Sequence, residues 1–491
     1  MKLLPLLALV APAISVAQAG VDAQQRIGTE LRLNLERIEL PGAEHVGLLG
    51  ASYLFELAPG LLVGPSLYGA ASGRRGGLFV FGAEGAWRRA IVGPLELQLG
   101  LYVGGGGGGA APVGGGLMWR PHADLLWNFG GGWRAGLSAS QVRFSNGDIG
   151  SRQLGVVVST DAEFRYLSPD AGAASSRAGS RSGLGFDRVL AVAGVYRPRS
   201  GTLGVSGQPL KARLGYVGAR AEQRDAAAPW FWGVEANGAG SGGVAGYAEF
   251  LATAGAETAL GERLRVGGRV ALGLGGGGDV PVGGGLLAKA ALHGTLRVSR
   301  NASVTAEAGW ARAPQGEFSA PFAALALNWN LDPAGAAAAG EGPTRQEAVL
   351  GALTYRDAAR RAGPPRHLQA VVYKFNRYLG ESAYLTGQVH SAWGGGAGGY
   401  SVGLIGAGWQ WRPESAAWLL GAELLAGVAG GGGVDSGSGA IVQPMLYAGW
   451  RLTPAISARV GAGRVRSTHG ALDSTVVDAG LAFAFGAGHR H

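Results

Sequence analysis

The chain has no cysteine, little charge and no long apolar run beyond its N-terminal segment. Without cysteine it forms no disulfides and offers no thiolate for catalysis or for the common zinc patterns. Asp, Glu, Lys and Arg make up 15% of its 491 residues, whereas about 25% is typical of soluble domains. Beyond residue 19 no apolar stretch reaches the roughly 18 to 20 residues of a membrane-spanning helix. A helical membrane protein is therefore excluded, and the low charge disfavours an ordinary soluble protein.

Glycine is abundant, but its spacing excludes the fibrous classes. The 92 glycines do not fall at every third position, so the chain is not collagen. The 13 Trp, 13 Tyr and 14 Phe argue against a disordered glycine-rich chain. Segments such as 30–36 and 95–101 alternate leucine with other residues, and in 30–36 three leucines alternate with four polar residues. This period of two predicts strands with one face toward lipid and the other toward a wet lumen.

One unit occurs three times along the chain. Its anchors are the glycine-rich stretches 106–109, 275–278 and 430–433, each followed about 36 or 37 residues later by an arginine, and then by a glycine four residues further on. These arginines are Arg143, Arg312 and Arg466. The units span about 28–164, 188–332 and 347–485, and segments 168–185 and 333–345, rich in Ala, Gly, Ser and Pro, are predicted linkers.

About eight strands per unit give about 24 strands, an even number within the range of single-chain barrels. We therefore predict an all-β fold: one transmembrane antiparallel β-barrel of about 24 strands, built from three repeats. Short connections such as 58–60 and 261–263 follow the even-numbered strands. If the N-terminus is periplasmic, the glycine-rich connections then lie at the extracellular end.

The last strand, 478–485, carries a motif of its own. Leu481, Phe483 and Phe485 share one face, and Gly480 falls on the face of small residues. The order of polar residue, glycine and paired aromatics resembles the C-terminal signal of bacterial outer-membrane β-barrel proteins, although six residues follow Phe485. The resemblance implies an assembly signal formed by Gly480, Phe483 and Phe485. It also implies three partners: the barrel-assembly machinery, outer-membrane lipid and lipopolysaccharide.

The first residues have the features of a secretory signal peptide. Lys2 precedes an apolar run that ends in Ala17-Gln18-Ala19, a small-x-small cleavage pattern. We expect the signal peptide, residues 1–19, to direct the chain through the inner membrane and to be removed. Residues 20–491 would then form a single barrel in the outer membrane.

Two other architectures fit parts of the pattern. Three tandem eight-stranded barrels would match the repeat, but only the last copy has the full Gly and Phe-x-Phe ending, and one closed barrel already pairs every strand edge. A soluble β-solenoid or sandwich array is the third option. Against it stand aromatic residues near segment ends, which suit the girdles of a membrane barrel. They are Trp119, Trp127, Trp230, Trp232, Trp329, Trp409 and Trp411.

Motifs for catalysis or cofactors are weak. Segment 273–278 contains G-x-G-x-x-G, but neither a helix nor a suitably placed acid follows it. The histidines show no metal-ligand spacing, apart from the terminal pair His489 and His491. No Ser or His recurs in all three units with a partner. We expect no cofactor, metal, nucleic acid or enzymatic activity.

Two repeated features are candidate functional residues. Arg143, Arg312 and Arg466 would form a ring in one barrel and, facing inward, could select anions. Alternatively, they pair with neighbouring acids or bind lipopolysaccharide phosphates at the rim. The glycine-rich hairpins could bend inward as a constriction, or could serve as surface turns and strand kinks. The constriction candidates are Gly106, Gly109, Gly275, Gly278, Gly430 and Gly433.

These observations predict an outer-membrane channel or export conduit for a hydrophilic solute or polymer. The net charge of +9 and pI near 9.9 suit an anionic solute or polysaccharide. The alternative is a structural or surface-interaction barrel without transport, which a sealed lumen would distinguish.

Overall fold

The computed structural model describes residues 24–169, 183–224, 228–331, 343–413 and 416–488. The predicted signal peptide, most of both predicted linkers, and His489 and His491 lie outside these ranges. No helix in the described part of the chain is long and apolar enough to cross a membrane.

The described residues form 24 strands in three sets of eight. The first set is β1 (Gln25–Leu40), β2 (Glu44–Ala58), β3 (Leu61–Ser72), β4 (Phe79–Val92), β5 (Leu95–Gly107), β6 (Leu117–Gly130), β7 (Trp133–Phe144) and β8 (Gly150–Tyr166). The second is β9 (Arg188–Tyr196), β10 (Leu214–Arg224), β11 (Trp230–Ala239), β12 (Ala248–Ala259), β13 (Leu264–Gly276), β14 (Leu286–Arg297), β15 (Ala302–Arg312) and β16 (Ser319–Asn330). The third is β17 (Thr344–Ala358), β18 (Arg366–Tyr378), β19 (Ala383–Gly394), β20 (Ser401–Trp411), β21 (Trp418–Gly430), β22 (Ala440–Arg451), β23 (Ile456–Ser467) and β24 (Asp473–Ala487).

Each set closes on itself as an antiparallel barrel. Strand β1 pairs with β8, β9 with β16, and β17 with β24. The prediction of one 24-stranded barrel is therefore wrong, and the disfavoured alternative of three eight-stranded barrels is correct. Pairing every strand edge did not require a single barrel, because eight strands already suffice to close one with an interior that side chains can fill.

The strands place their apolar residues on the outside of each barrel and their polar residues inside, as the alternating pattern predicted. In β1 the side chains of Leu31, Leu33 and Leu35 are about half exposed on the outside, whereas Glu30 and Arg32 are 0% and 2% exposed inside. A strand of 12 residues, such as β14, tilted by about 40°, rises about 30 Å. That height matches the hydrocarbon core of a bilayer, so the apolar outer faces suit direct contact with lipid.

The two ends of the barrels differ in their connections. We call one end the turn end: it carries the connections that follow even-numbered strands, and these are short within each barrel, as predicted. The opposite loop end carries the glycine-rich connections. Among the described residues, all exposed tryptophans except Trp310, which lies near the loop end, are at the turn end, where an aromatic girdle would meet the membrane interface. They are Trp87, Trp127, Trp133, Trp230, Trp232, Trp409, Trp411, Trp418 and Trp450.

The three barrels contact one another in a ring. Strand β3 contacts β13 and β14 of the second barrel, β11 contacts β21 of the third, and β19 contacts β5 and β6 of the first. Each barrel thus presents its third strand to one neighbour and its fifth strand to the other. Such head-to-tail contacts form a closed ring when the rotation completes a circle, here after three copies within one chain.

Candidate functional site

The interior of the first barrel is crossed by a buried charge cluster. The Arg32 guanidinium lies 2.6 Å from Asp124 and 3.3 Å from Glu84. His122 bridges the same two carboxylates, at 3.2 Å from Glu84 and 3.0 Å from Asp124. Glu84 and Asp124 are both 0% exposed. These four charged or polar side chains point inward from three strands, β1, β4 and β6, and so close the lumen.

Further ion pairs extend this cluster along the barrel axis. Toward the loop end, Arg120 Nε and Nη2 each donate to a Glu36 oxygen at 2.9 Å. Toward the turn end, Arg134 lies 2.6 Å from Glu96 and 2.7 Å from Asp161. The paired geometry of the Arg120 contact is the strong form of a charge-assisted hydrogen bond. The lumen of the first barrel is thus closed at more than one level.

The second barrel contains a comparable network. Glu235 lies 2.9 Å from Lys289, 3.0 Å from Arg269 and 3.1 Å from Arg220. Glu307 accepts from both arginines, at 3.0 Å from Arg220 and 2.7 Å from Arg269. Each cation in this cluster therefore has a carboxylate within contact distance.

The third barrel has fewer pairs. Lys374 lies 2.6 Å from Asp478 and 3.5 Å from Glu423. Arg459 lies 2.7 Å from Glu347. Glu347 also pairs with Arg345, at 2.6 Å. The rest of the described interior is closed largely by neutral polar and aromatic side chains, so an opening would require fewer charges to separate here than in the other two barrels.

Several buried polar atoms of the lumens have no hydrogen-bond partner among the described residues. They include Arg32 Nε, Arg120 Nη1, both side-chain polar atoms of Asn34 and Gln98 Oε1. Buried polar atoms are satisfied by protein or by water in nearly all proteins. Water molecules between the ion pairs would satisfy these atoms.

The structure places Arg143, Arg312 and Arg466 on the outer surface near the loop end. All three are exposed, and the inward positions beside them belong to residues such as Val142 and Val465. Arg143 lies over the Trp119 ring at 5.9 Å, and Arg466 donates to Asp473 at 3.2 Å. They line no lumen, because the alternation along each strand turns them outward and each belongs to a different barrel. This geometry fits the alternative of acid pairing or rim contact.

The glycine-rich stretches lie where neighbouring barrels meet, and not as constrictions on a lumen axis. A Cβ built on Gly107 would lie 2.6 Å from the Gly399 nitrogen of the third barrel, and one on Gly276 would lie 2.5 Å from the Gly77 nitrogen of the first. Gly430 approaches Gly246 of the second barrel in the same way. The absence of side chains lets the backbones touch, which is the use of glycine that this position requires.

The other glycine candidates support the same hairpins. Gly106 and Gly275 donate across the base of their hairpins to Gly116 and Gly285, at 3.0 and 2.7 Å. The remaining three, Gly109, Gly278 and Gly433, have positive φ angles of 57°, 56° and 72°.

Backbone hydrogen bonds reinforce two of these interfaces. Gly76 N donates to Gly283 O at 2.9 Å, and Gly398 N donates to Gly114 O at 3.1 Å. Phe250 of the second barrel packs edge-on against Phe79 of the first, with ring centroids 5.0 Å apart. Close backbone packing and these hydrogen bonds therefore hold the loop ends of the barrels together.

The proposed assembly signal lies in the closing strand of the third barrel. Gly480 pairs with Gly351 of β17, and Phe483 is half-buried on the outer face. Phe485 is 8% exposed and packs edge-on against Phe164 of the first barrel, at 5.2 Å between centroids. Phe485 thus contributes to an interface between barrels as well as to its own strand, and recognition of this strand by the assembly machinery stays a prediction.

The luminal charge clusters were not identified as sites from the sequence. The alternation of Glu30, Arg32, Asn34 and Glu36 with leucines was visible and showed that these residues face inward. Their partners, such as Glu84 and Asp124, lie on distant strands, so the pairing depends on closure of the eight-stranded unit. In segment 273–278, which holds the G-x-G-x-x-G pattern, the residues continue strand β13 into a hairpin.

Neither a protein-family model nor a curated protein sequence matches the chain. Among solved structures it is similar to OccAB3 of Acinetobacter baumannii, with 9% identity over 94% of this chain and 99% of that chain, and a TM-score of 0.22. It is also similar to OccK1 (OpdK) of Pseudomonas aeruginosa, with 10% identity over 93% of this chain and 98% of that chain, and a TM-score of 0.23. A third similar structure is the siderophore receptor PirA of Acinetobacter baumannii, with 11% identity over 94% of this chain and 81% of that chain, and a TM-score of 0.28. These proteins belong to the bacterial outer-membrane β-barrel class whose C-terminal signal the last strand resembles, but TM-scores this low do not indicate a shared arrangement of strands.

Proposed function

We propose that the chain is an outer-membrane protein of three fused barrels that acts as a structural and interaction platform, with its lumens closed at rest. The observation that carries this proposal is the set of buried ion pairs across the lumens, above all Arg32 with Glu84 and Asp124. Breaking a buried pair by removing one partner costs about 3–5 kcal/mol. Passive flow of a solute would require several such separations at once.

The two ends of the barrels suggest an orientation. The short connections of the turn end suit the periplasmic side, where outer-membrane barrels have short turns, and its tryptophan girdle suits a membrane interface. The loop end carries exposed arginines such as Arg143, Arg152 and Arg312, and it would face the phosphates of lipopolysaccharide. Secretion by the signal peptide and insertion by the assembly machinery are part of this proposal.

A second candidate is a gated channel for small hydrophilic solutes, including anions. It is favoured by the unpartnered polar atoms inside the lumens, such as Asn34 Oδ1 and Gln98 Oε1, because they imply hydrated gaps. In such a channel the ion pairs would be the gate, and conduction would begin only when a pair separates.

Single-channel recording in planar bilayers separates the two candidates. We expect the folded wild type to be silent at moderate voltage. Glu84→Ala removes a carboxylate that closes the first lumen, and Glu44→Ala, at the surface pair with Arg75, serves as the matched control. Brief openings in Glu84→Ala alone would indicate a lumen that can be gated. Steady, anion-selective conductance of the wild type would refute the sealed platform.

A further inference from the structure

The connection between β17 and β18, at the loop end of the third barrel, concentrates positive charge. Residues 356–367 contain Arg356, Arg360, Arg361 and Arg366, and their one acid is Asp357. The Asp357 carboxylate lies 3.6 Å from His367. The cluster is therefore strongly cationic at neutral pH.

Backbone contacts hold this connection in place. Arg361 N donates to Gly433 O at 2.9 Å, and Asp435 N donates to Ala359 O at 2.9 Å. Arg360 also forms an isolated β-bridge with Val434. The connection is thus fastened to the glycine-rich hairpin between β21 and β22, which gives the arginines a defined position.

Two guanidinium groups converge beside Gly396. Arg360 Nη2 donates to the Gly396 carbonyl at 2.8 Å, and a Cβ built on Gly396 would lie 3.6 Å from Arg366 Nη1. Among the described residues, no carboxylate lies within 4.0 Å of either guanidinium. Arg360 Nη1 is buried and has no hydrogen-bond partner. Burial, followed by the neighbouring charge of Arg366, lowers the pKa of Arg360.

The first barrel shows how such a cation is otherwise neutralised. At its loop end Arg75 Nη1 donates to the Ala110 carbonyl at 2.7 Å, much as Arg360 donates to Gly396. Arg75 Nε also donates to Glu44 at 2.9 Å. In the third barrel a second arginine stands beside the first, and no acid fills the role of Glu44.

We propose that Arg360 and Arg366 form a binding site for a phosphate-type anion at the loop end of the third barrel, separate from the lumens. Two guanidinium groups side by side repel each other unless an anion lies between them. A phosphate offers several acceptor oxygens to such a pair, and arginine donates to them in a fixed fork geometry. The phosphate could belong to a lipid headgroup such as lipopolysaccharide or to a soluble polyphosphate.

The test uses the full chain, folded in detergent micelles, and isothermal titration calorimetry. The probes are inorganic pyrophosphate, lipopolysaccharide and chemically dephosphorylated lipopolysaccharide. The variants are Arg366→Gln and R360Q/R366Q, with Arg263→Gln, an exposed arginine at the turn end of the second barrel, as the matched control. Arg366 makes no side-chain hydrogen bond to the described residues, so its variant should fold, and the heat-dependent gel migration of a closed barrel checks each protein.

An arginine near an anionic surface contributes about 1 kcal/mol, or about fivefold in affinity. We expect about fivefold weaker binding for Arg366→Gln, a larger loss for the double variant, and no change for Arg263→Gln. Binding of pyrophosphate would assign the site to soluble phosphates, whereas binding of lipopolysaccharide alone, lost on dephosphorylation, would assign it to a lipid headgroup. Binding of neither probe, or an equal loss in the Arg263→Gln control, would overturn the proposal.

Discussion

Replacing Glu84 by leucine should destabilise the protein through the buried cluster of the first barrel. Glu84 lies 3.3 Å from Arg32 and 3.2 Å from His122, and it accepts a hydrogen bond from Ser52 at 3.0 Å. Without it, Arg32 keeps only Asp124 as a counter-charge in a fully buried setting. Removing one partner of a buried pair costs about 3–5 kcal/mol, and each stranded hydroxyl adds about 1 kcal/mol. We expect the free energy of unfolding to fall by about 4–6 kcal/mol.

The measurement is urea-induced unfolding of the full chain in lipid vesicles, followed by tryptophan fluorescence and by gel migration. Glu44→Gln is the control, because its pair with Arg75 is partly exposed and such pairs contribute about 0–1 kcal/mol. The triple variant Arg32→Met, Glu84→Leu and Asp124→Asn should regain much of the loss, since it removes both carboxylates together with their arginine partner. A loss for Glu84→Leu within about 1 kcal/mol of the control would refute the view that this cluster is a desolvated network.

Three further changes test the barrel contacts and the lipid face. Gly107→Val should separate the first and third barrels, because its side chain would clash with the backbone of Gly399. Limited proteolysis should then show new cleavage at the loop end. The control Gly85→Val, where a Cβ meets no atom within 4 Å, should show no new cleavage. Leu292→Arg, on an outer face where the leucine is 75% exposed, should lower the free energy of unfolding in vesicles by about 2–4 kcal/mol if this face meets lipid. Leu203→Arg, in a loop, is the control. Equal stability of the two variants would contradict membrane immersion of the Leu292 face. Phe485→Ala should lower the free energy of unfolding by about 3 kcal/mol, because it loses packing on Phe164. It should also slow insertion into vesicles that contain purified assembly machinery. An unchanged insertion rate would argue against a role of Phe485 in the assembly signal.

Much of the local structure was predictable from the sequence. The alternation in segments such as 30–36 assigned strands and faces, because a strand points successive side chains to opposite sides whatever its partners. The repeat of glycine-rich stretches and arginines located three units of about eight strands. The short connections after even strands, such as 58–60, indicated the turn end. Each of these features depends on neighbours within one or two strands.

The candidate sites were less predictable. Arg143, Arg312 and Arg466 were correctly placed near strand ends, but their outward direction depends on the register of each strand, and a shift of one residue reverses it. The glycine-rich stretches were predicted as a constriction or as surface turns and strand kinks, yet the backbones that they contact lie in another barrel. The ion pairs of the lumens join residues such as Arg32 and Asp124, which are far apart in sequence, so no local pattern identified them.

The sequence by itself therefore determined that this chain forms amphipathic strands, in repeated sets, with an apolar surface for lipid. Only the tertiary structure decided which strands close each sheet, since β8 has the same unpaired edge whether it meets β1 or β9. That choice sets the size of the lumen. Eight strands leave space only for packed side chains, whereas about 24 would have left a wide pore. Closure in sets of eight thus turned the inward charges into buried pairs and placed the glycines where barrel meets barrel.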